Sequence, residues 1–217
     1  MKIACIGYRD WALKIYSQLE LKFLDYDFLI QSSEDDYSEN EISRFNPDLI
    51  FFYGWSRLIS KSLINNYKCL MLHPSPLPKY RGGSPIQNQI INGETDSAVT
   101  IFLMDEGVDT GPIAKQVPLS LQGSLNDIFD RIIENGFEVS MDIITNGLQL
   151  TDQNGAEATY CKRRRNSESE ITLDEIQFES AKYLRNKIRM LQDPYPNPYI
   201  KTYDGKKLVI KLVEIEE

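Results

Sequence analysis

Apolar residues along this chain fall into two patterns. Short unbroken runs at residues 2–7, 23–30, 49–53, 69–72, 99–104 and 113–121 read as buried strands. Between them, apolar residues recur at three- and four-residue spacing, the signature of amphipathic helices. Trp11, Leu13, Ile15, Tyr16 and Leu19 mark the first helix, over residues 9–21. Shorter helices are expected near 40–45, from just after Ser56 to Tyr67, and over 84–92, where Gly93 suits a C-cap. Ser124 is placed to cap a long helix carrying Leu125, Ile128, Ile132, Ile133, Phe137, Val139 and Ile143, closed by Gly147. Pro118 within the run 113–121 argues for an edge strand, because proline cannot donate to a ladder.

Alternating strands and helices over residues 1–150 predict an α/β domain with a doubly wound, mostly parallel, Rossmann-like sheet. The stretch 152–169 is polar and reads as a crossover or linker. Residues 179–191 form a helix with Leu184, Ile188 and Leu191 inward. Prolines 194, 196 and 198 force extended chain, and strands 199–203 and 207–213 flank the hairpin signal Asp204-Gly205. Residues 151–217 thus make a linker and a small helix-plus-hairpin unit.

The polar positions that interrupt this pattern carry the chemistry. The chain has one histidine, His73, delivered by the run 69–72 to the end of a strand. Pro74, Pro76 and Pro78 follow, then the turn Arg81-Gly82-Gly83. The strand at 99–104 ends in Asp105-Glu106-Gly107-Val108-Asp109-Thr110-Gly111-Pro112. If these two strands are parallel neighbours, His73 and Asp109 meet at the sheet edge where open α/β folds bind ligands. Gly54 and Trp55 stand at the corresponding end of the strand 49–53. Gly7-Tyr8-Arg9-Asp10-Trp11 is not a GxGxxG turn, so a nicotinamide dehydrogenase fingerprint is missing.

Composition narrows the classes further. A lone histidine and no CxxC leave no ordinary zinc site, and no metal is expected. Cys5, Cys69 and Cys161 are odd in number and widely spaced, which suits reduced thiols, with Cys5 and Cys69 in the core. Met1-Lys2 runs directly into a strand, and no apolar run nears the roughly 20 residues of a membrane span. A cytoplasmic protein is the expectation. The net charge of −8 (24 basic against 32 acidic residues) argues against a nucleic-acid partner. Lys162-Arg163-Arg164-Arg165 is the one basic run, either a solvated patch or a phosphate contact.

The string from His73 to Gly82 (HPSPLPKYRG), followed by VTIFLMDEGVDTGPI over 99–113, resembles the formyltransferase family that uses N10-formyltetrahydrofolate. Looser similarity covers residues 1–144 and 162–215. Helix residues IRMLQ followed by DPYPNPY resemble the C-terminal region of bacterial sugar-nucleotide N-formyltransferases, the pseudaminic-acid-pathway-like amino-sugar type. The resemblance implies that His73 and Asp109 are catalytic. It further implies that Gly54, Trp55, Ser75 and Lys79 contact folate or acceptor, with Arg81 either orienting its loop or pairing with an anion. Gly82, Pro85, Gln87, Met104, Gly107 and Val108 complete the binding set it implies, with packing in the core an equal reading for Trp55, Pro85 and Met104. A homodimer is also implied.

Formyl transfer to an amine requires a hydrogen-bond donor at the developing oxyanion and a group that accepts the amine's proton. His73 suits either role, and Asp109 beside it would favour the imidazolium or take the proton itself. The family's third catalytic residue is an Asn two positions before the His. Met71 stands there instead and offers no N–H donor. Loss of one such donor typically costs about 10²–10³ in rate. Either His73 acts alone, or a backbone amide, Asn88 or Gln87 substitutes, or the chain is a non-catalytic folate- or nucleotide-binding relative. The expected acceptor is a UDP- or dTDP-linked 4-amino-4,6-dideoxy sugar for a surface or flagellar glycan. Methionyl-tRNA and glycinamide ribonucleotide are the alternatives.

Overall fold

The computed structural model describes residues 1–216. The chain runs β1 (Lys2–Ile6), α1 (Asp10–Lys22), β2 (Asp27–Gln31), α2 (Glu39–Phe45), β3 (Leu49–Phe52), α3 (Lys61–Asn66) and β4 (Cys69–His73). It continues through β5 (Arg81–Gly82), α4 (Pro85–Ile91), β6 (Asp96–Leu103), β7 (Ile113–Ser120) and α5 (Leu125–Asn146). After these come β8 (Tyr160–Cys161), α6 (Leu173–Phe178), α7 (Ala181–Arg189), β9 (Tyr199–Lys201) and β10 (Lys207–Val209). The main sheet has the order β2-β1-β3-β4-β6-β7. Its first four strands are parallel, as the alternating pattern predicts.

The last two strands are not. β6 lies antiparallel to β4, with Leu70 opposite Leu103 and His73 opposite Thr100. This corrects the expectation of parallel neighbours. A buried apolar run looks the same in either direction; direction is decided by where the connection ends. Here α4 is only seven residues long, and Gly93 (φ 86°) turns the chain so that β6 enters beside the carboxyl end of β4. β7 then pairs back on β6 and forms the sheet edge, where Pro118 is tolerated.

Alternation along the strands gives the sheet two unlike faces. Phe51, Tyr53, Leu70 and Leu72 pack against α1 and α5 in the larger core, with Ile15, Leu19, Ile132 and Val139. Gly136 marks the closest approach: a Cβ there would lie 2.6 Å from Ile15 Cδ1 and 2.9 Å from Leu72 Cδ1. The other face is smaller and holds Ile6, Ile50, Phe52, Trp55, Leu63 and Cys69 under α2 and α3. Met71 packs at its border, so His73, two residues on, faces the same side.

Local boundaries differ from the expectation in several places, among them the C-terminal hairpin, whose strands end at Lys201 and Val209. The second strand begins at Asp27, because α1 runs to Lys22 and Phe23 stacks on Tyr26 across the turn. Helix α3 starts only at Lys61, capped by Ser60, leaving residues 54–60 as a loop. An additional helix, α6, has its own Thr172–Glu175 capping box. The long helix α5 carries the expected Ser124 cap, reinforced by Asp127.

Tyr16 ties the top of the sheet together. Its buried hydroxyl lies 2.9 Å from Ile6 O and 3.0 Å from Phe51 O, and accepts from the Tyr53 amide at 2.7 Å. Burial holds this phenol well above its ordinary pKa, so it remains a donor. Tyr16→Phe removes the shared hydroxyl from this buried cluster, although the Tyr53 amide also donates to Ile6 O at 3.1 Å. We expect it to lower stability by about 1–3 kcal/mol, read as a reduced urea midpoint with an unchanged m-value.

Candidate active site

A cleft of about 710 Å³ opens at the carboxyl end of β3 and β4. His73, the last residue of β4, lies in its wall and is 5% exposed. Its Nε2 is 2.8 Å from Tyr80 O. A carbonyl only accepts, so Nε2 carries a hydrogen, and Nδ1 is the nitrogen left to gain or lose a proton. Nδ1 lies 3.5 Å from Asp109 Oδ2.

The loop after β4 is braced along its length. Ser75 Oγ donates to Lys79 O at 2.8 Å, Thr100 Oγ1 donates to Ser75 O at 2.6 Å, and Gln89 Nε2 donates to Pro74 O at 2.9 Å. Beyond it, the chain pairs with the segment after α5: β5 runs parallel to β8, and the amides of Tyr80, Arg81 and Gly83 bond to Thr159 and Cys161. Gly82 has φ 99°, and a Cβ there would lie 2.5 Å from Cys161 O, so only glycine fits this crossing. The Gly82 N–H donates to Asp109 Oδ2 at 2.8 Å.

Asp109 is therefore held from two sides, by Gly82 and by His73, with its side chain 11% exposed. Its backbone is left-handed, φ 54°, a conformation that Asp tolerates better than most residues.

Of the residues expected to bind ligand, Gly54, Trp55, Gly82, Pro85, Gln87 and Val108 line the cleft. Ser75 and Lys79 brace the loop instead, Lys79 through its backbone carbonyl. Met104 packs with the smaller core, and Gly107 donates to Asp105 Oδ1. Arg81, 5% exposed, points away from the cleft: Nε and Nη2 donate to Gln153 Oε1 at 3.1 and 2.7 Å, and Nη1 donates to Tyr160 Oη at 3.0 Å.

Met71 lines the cleft beside His73. The groups that were candidates to supply its missing N–H are mostly committed. Asn88 Nδ2 faces three carbonyls, Gly83, Ser84 and Lys162, at 3.0–3.1 Å. The Gly82 and Gly83 amides are bonded to Asp109 and Cys161. Gln87 Nε2 is different: it is buried in the cleft wall with no partner, as is Trp55 Nε1. Both are donors, so the cleft fits a ligand rich in acceptor oxygens or ring nitrogens.

Other residues of the cleft were not expected there. Arg9 lines it from the residue just before α1, Phe129 from α5, and Pro194, Tyr195 and Pro196 from the C-terminal unit. Arg163 and Arg164 of the basic run complete it, so that run belongs to the cleft. The Arg163 backbone packs on Gly83, and the Arg164 amide donates to Ser84 Oγ at 3.2 Å. Among the described residues, no three His, Cys, Asp or Glu side chains are grouped to hold a metal ion, and no helix is long and apolar enough to cross a membrane.

Comparison with known proteins places the chain in a family. Methionyl-tRNA formyltransferase of Campylobacter curvus (strain 525.92) is 32% identical over 193 residues, covering 88% of this chain and 62% of that protein. The chain spans about three-fifths of the length of such curated relatives. Among solved structures, methionyl-tRNA formyltransferase from Clostridium thermocellum superposes with a TM-score of 0.86 at 29% identity, covering 97% of each chain. A sugar N-formyltransferase from Shewanella sp FDAARGOS_354 shares the fold, with a TM-score of 0.80 at 19% identity over 100% of this chain and 99% of that one. The family model described as formyl transferase matches residues 20–144, more than half of the chain and inclusive of both His73 and Asp109, and the chain belongs to that family.

Proposed function

We propose that this protein transfers a formyl group from N10-formyltetrahydrofolate to the amine of a UDP- or dTDP-linked 4-amino-4,6-dideoxy sugar, in the assembly of a surface or flagellar glycan. The observation that carries this reading is the make-up of the cleft. The pair His73–Asp109 shares it with Arg9, Arg163, Arg164 and Tyr195, although the whole chain has a net charge of −8. Arginines gathered at one site of an acidic protein suit a compact phosphorylated ligand, and Tyr195 beside them offers a stacking surface for a base or sugar.

The folate supplies an activated formyl carbonyl, whose oxygen gains negative charge as the amine attacks. The residues of this chain answer that charge and move the protons. His73 is held by Tyr80 O so that Nδ1 faces Asp109. In the imidazolium form Nδ1–H donates toward the developing charge. The Asp109 carboxylate takes the proton that the amine loses, directly or through one water, and the folate nitrogen gains a proton in turn as its bond to the formyl carbon breaks. Gln87 Nε2, the buried donor without a partner, supplies the hydrogen bond that Met71 does not.

A second acceptor is favoured by a separate observation: the curated relatives at 29–34% identity are methionyl-tRNA formyltransferases. The acidic balance opposes it, because tRNA binding draws on cationic contacts along a phosphate backbone. Incubation with N10-formyltetrahydrofolate and UDP- and dTDP-4-amino-4,6-dideoxy sugars, glycinamide ribonucleotide and methionyl-tRNA, with products followed by mass, separates the readings. Formylation of an amino-sugar nucleotide is expected. Exclusive formylation of methionyl-tRNA establishes the second reading, and folate binding without any product identifies a non-catalytic relative.

Two variant sets test the roles. His73→Ala and Asp109→Asn should each lower kcat by at least about 10²-fold. Gln87→Met should lower kcat by about 10²-fold, and Met71→Asn in that background should restore most of it. Unchanged kcat in Gln87→Met removes the substitute donor from the scheme.

A further inference from the structure

The catalytic carboxylate sits on a connection that has no regular structure of its own. Residues 104–112 leave the sheet at Leu103, beside Leu70, and Asp109 must reach His73 at the other end of β4. Internal bonds shape the loop but do not aim it: Thr110 Oγ1 donates to Asp105 Oδ1 at 2.6 Å, and Leu103 N donates to Pro112 O at 2.9 Å. Asp109 itself is in the left-handed region. Such a residue keeps its place only if something outside the loop holds it.

Gly82 and His73 hold its carboxylate; the hold on the backbone of the turn is one side chain, Gln153, from the segment after α5. Its Nε2 donates to Asp109 O at 3.0 Å and to Gly111 O at 2.7 Å. Its Oε1 accepts from Arg81 Nε and Nη2. All four hydrogen-bonding positions of the carboxamide are used. The orientation of the amide is set by chemistry: a guanidinium only donates, so it must face oxygen, and two carbonyls only accept, so they must face nitrogen. Arg81 is buried, and its partners Gln153 and Tyr160 are both neutral. The backbone around Gln153 is tied in as well, because Thr151 and Ile113 exchange hydrogen bonds at 2.8 and 2.9 Å.

We infer that Gln153 is a positioning residue for Asp109, clamping both carbonyls of its turn, and that Arg81, steadied by Tyr160, serves to orient Gln153 rather than to bind substrate. This rests on the reading of Asp109 as the proton acceptor of formyl transfer. It makes the chain beyond α5 part of the catalytic apparatus.

Gln153→Glu tests the inference in the full chain. Glutamate is the same size and keeps the bond to Arg81, but it turns an acceptor toward the two carbonyls. The expected variant is folded, with a urea midpoint near that of the unaltered protein. Its kcat is lowered by about 10²-fold, the scale on which a catalytic group displaced by about 1 Å is felt, with little change in KM for either substrate. A second readout needs no turnover. His73 is the only histidine, so its imidazole gives one set of NMR signals, and these should move in Gln153→Glu although the two side chains do not touch. Arg81→Lys, which cannot fork onto Oε1, should reproduce both effects, and the double variant should be no worse than either single one. Wild-type kcat and unshifted His73 signals in Gln153→Glu overturn the clamp, as does a loss of kcat matched by loss of fold in both single variants. If the unaltered protein transfers no formyl group, the reading of the reaction fails, while the His73 signals still decide the clamp.

Discussion

The opposed direction of β4 and β6 is the constraint from which the site follows. His73 ends one strand, and the acid that faces it belongs to the connection leaving the other strand at its far end. With parallel strands, both groups would have emerged at the same edge on short turns. Here the connection has to double back over the face of β4 that Met71 and His73 share. The reach is made by an irregular loop containing a left-handed aspartate, a costly local conformation that persists only where its surroundings over-determine it. Gly82, His73 and Gln153 together supply that determination, and two of these three come from outside the β6–β7 hairpin's own half of the sheet.

The histidine is constrained in a complementary way. Its Nε2 is committed to a backbone carbonyl, at a residue, Tyr80, that is itself held by Thr159. A ring fixed at one nitrogen has its tautomer and its plane set before any ligand arrives, which lowers the reorganisation that a transferred proton would demand. The proline loop thus acts as a rigid bracket. Its braces run to β6, to α4 and to the segment after α5, so the geometry at His73 depends on contacts from three directions.

Much of this was legible from the residues. Apolar runs and their spacing located the strands and helices, because burial is what those patterns report. Ser124, Gly93 and Gly147 marked helix ends through capping chemistry that depends on the local chain alone. The meeting of His73 and Asp109 was also legible, though by a different route from the one expected. Strand direction was not, since an apolar run carries no arrow and the turn at Gly93 decided it. Gln153 left no signal at all: a single glutamine in a polar stretch looks like any other solvated residue. Its importance arises only when the chain beyond α5 is laid against the Arg81 turn, a contact between segments far apart in sequence. Arg81 was ambiguous for the related reason that a guanidinium's type does not say which way it points.

The same residue type then serves two unlike purposes within a few ångströms of chain pairing. Arg81 is buried and faces neutral partners, where its rigid fork orients an amide. Arg163 and Arg164, just past the β8 strand that pairs with Arg81's own, line the open cleft. On the proposed reading the distinction has an electrostatic consequence. Charges in a cleft act at short range and are little screened there, whereas the excess of acidic residues elsewhere is felt over about a Debye length of 8–10 Å. A small dianionic ligand seated against the arginines experiences mainly the former. An extended polyanion has to lie along the rest of the surface as well, and so meets the net charge of −8. On that reading the arrangement would discriminate by the size of the anion as much as by its charge.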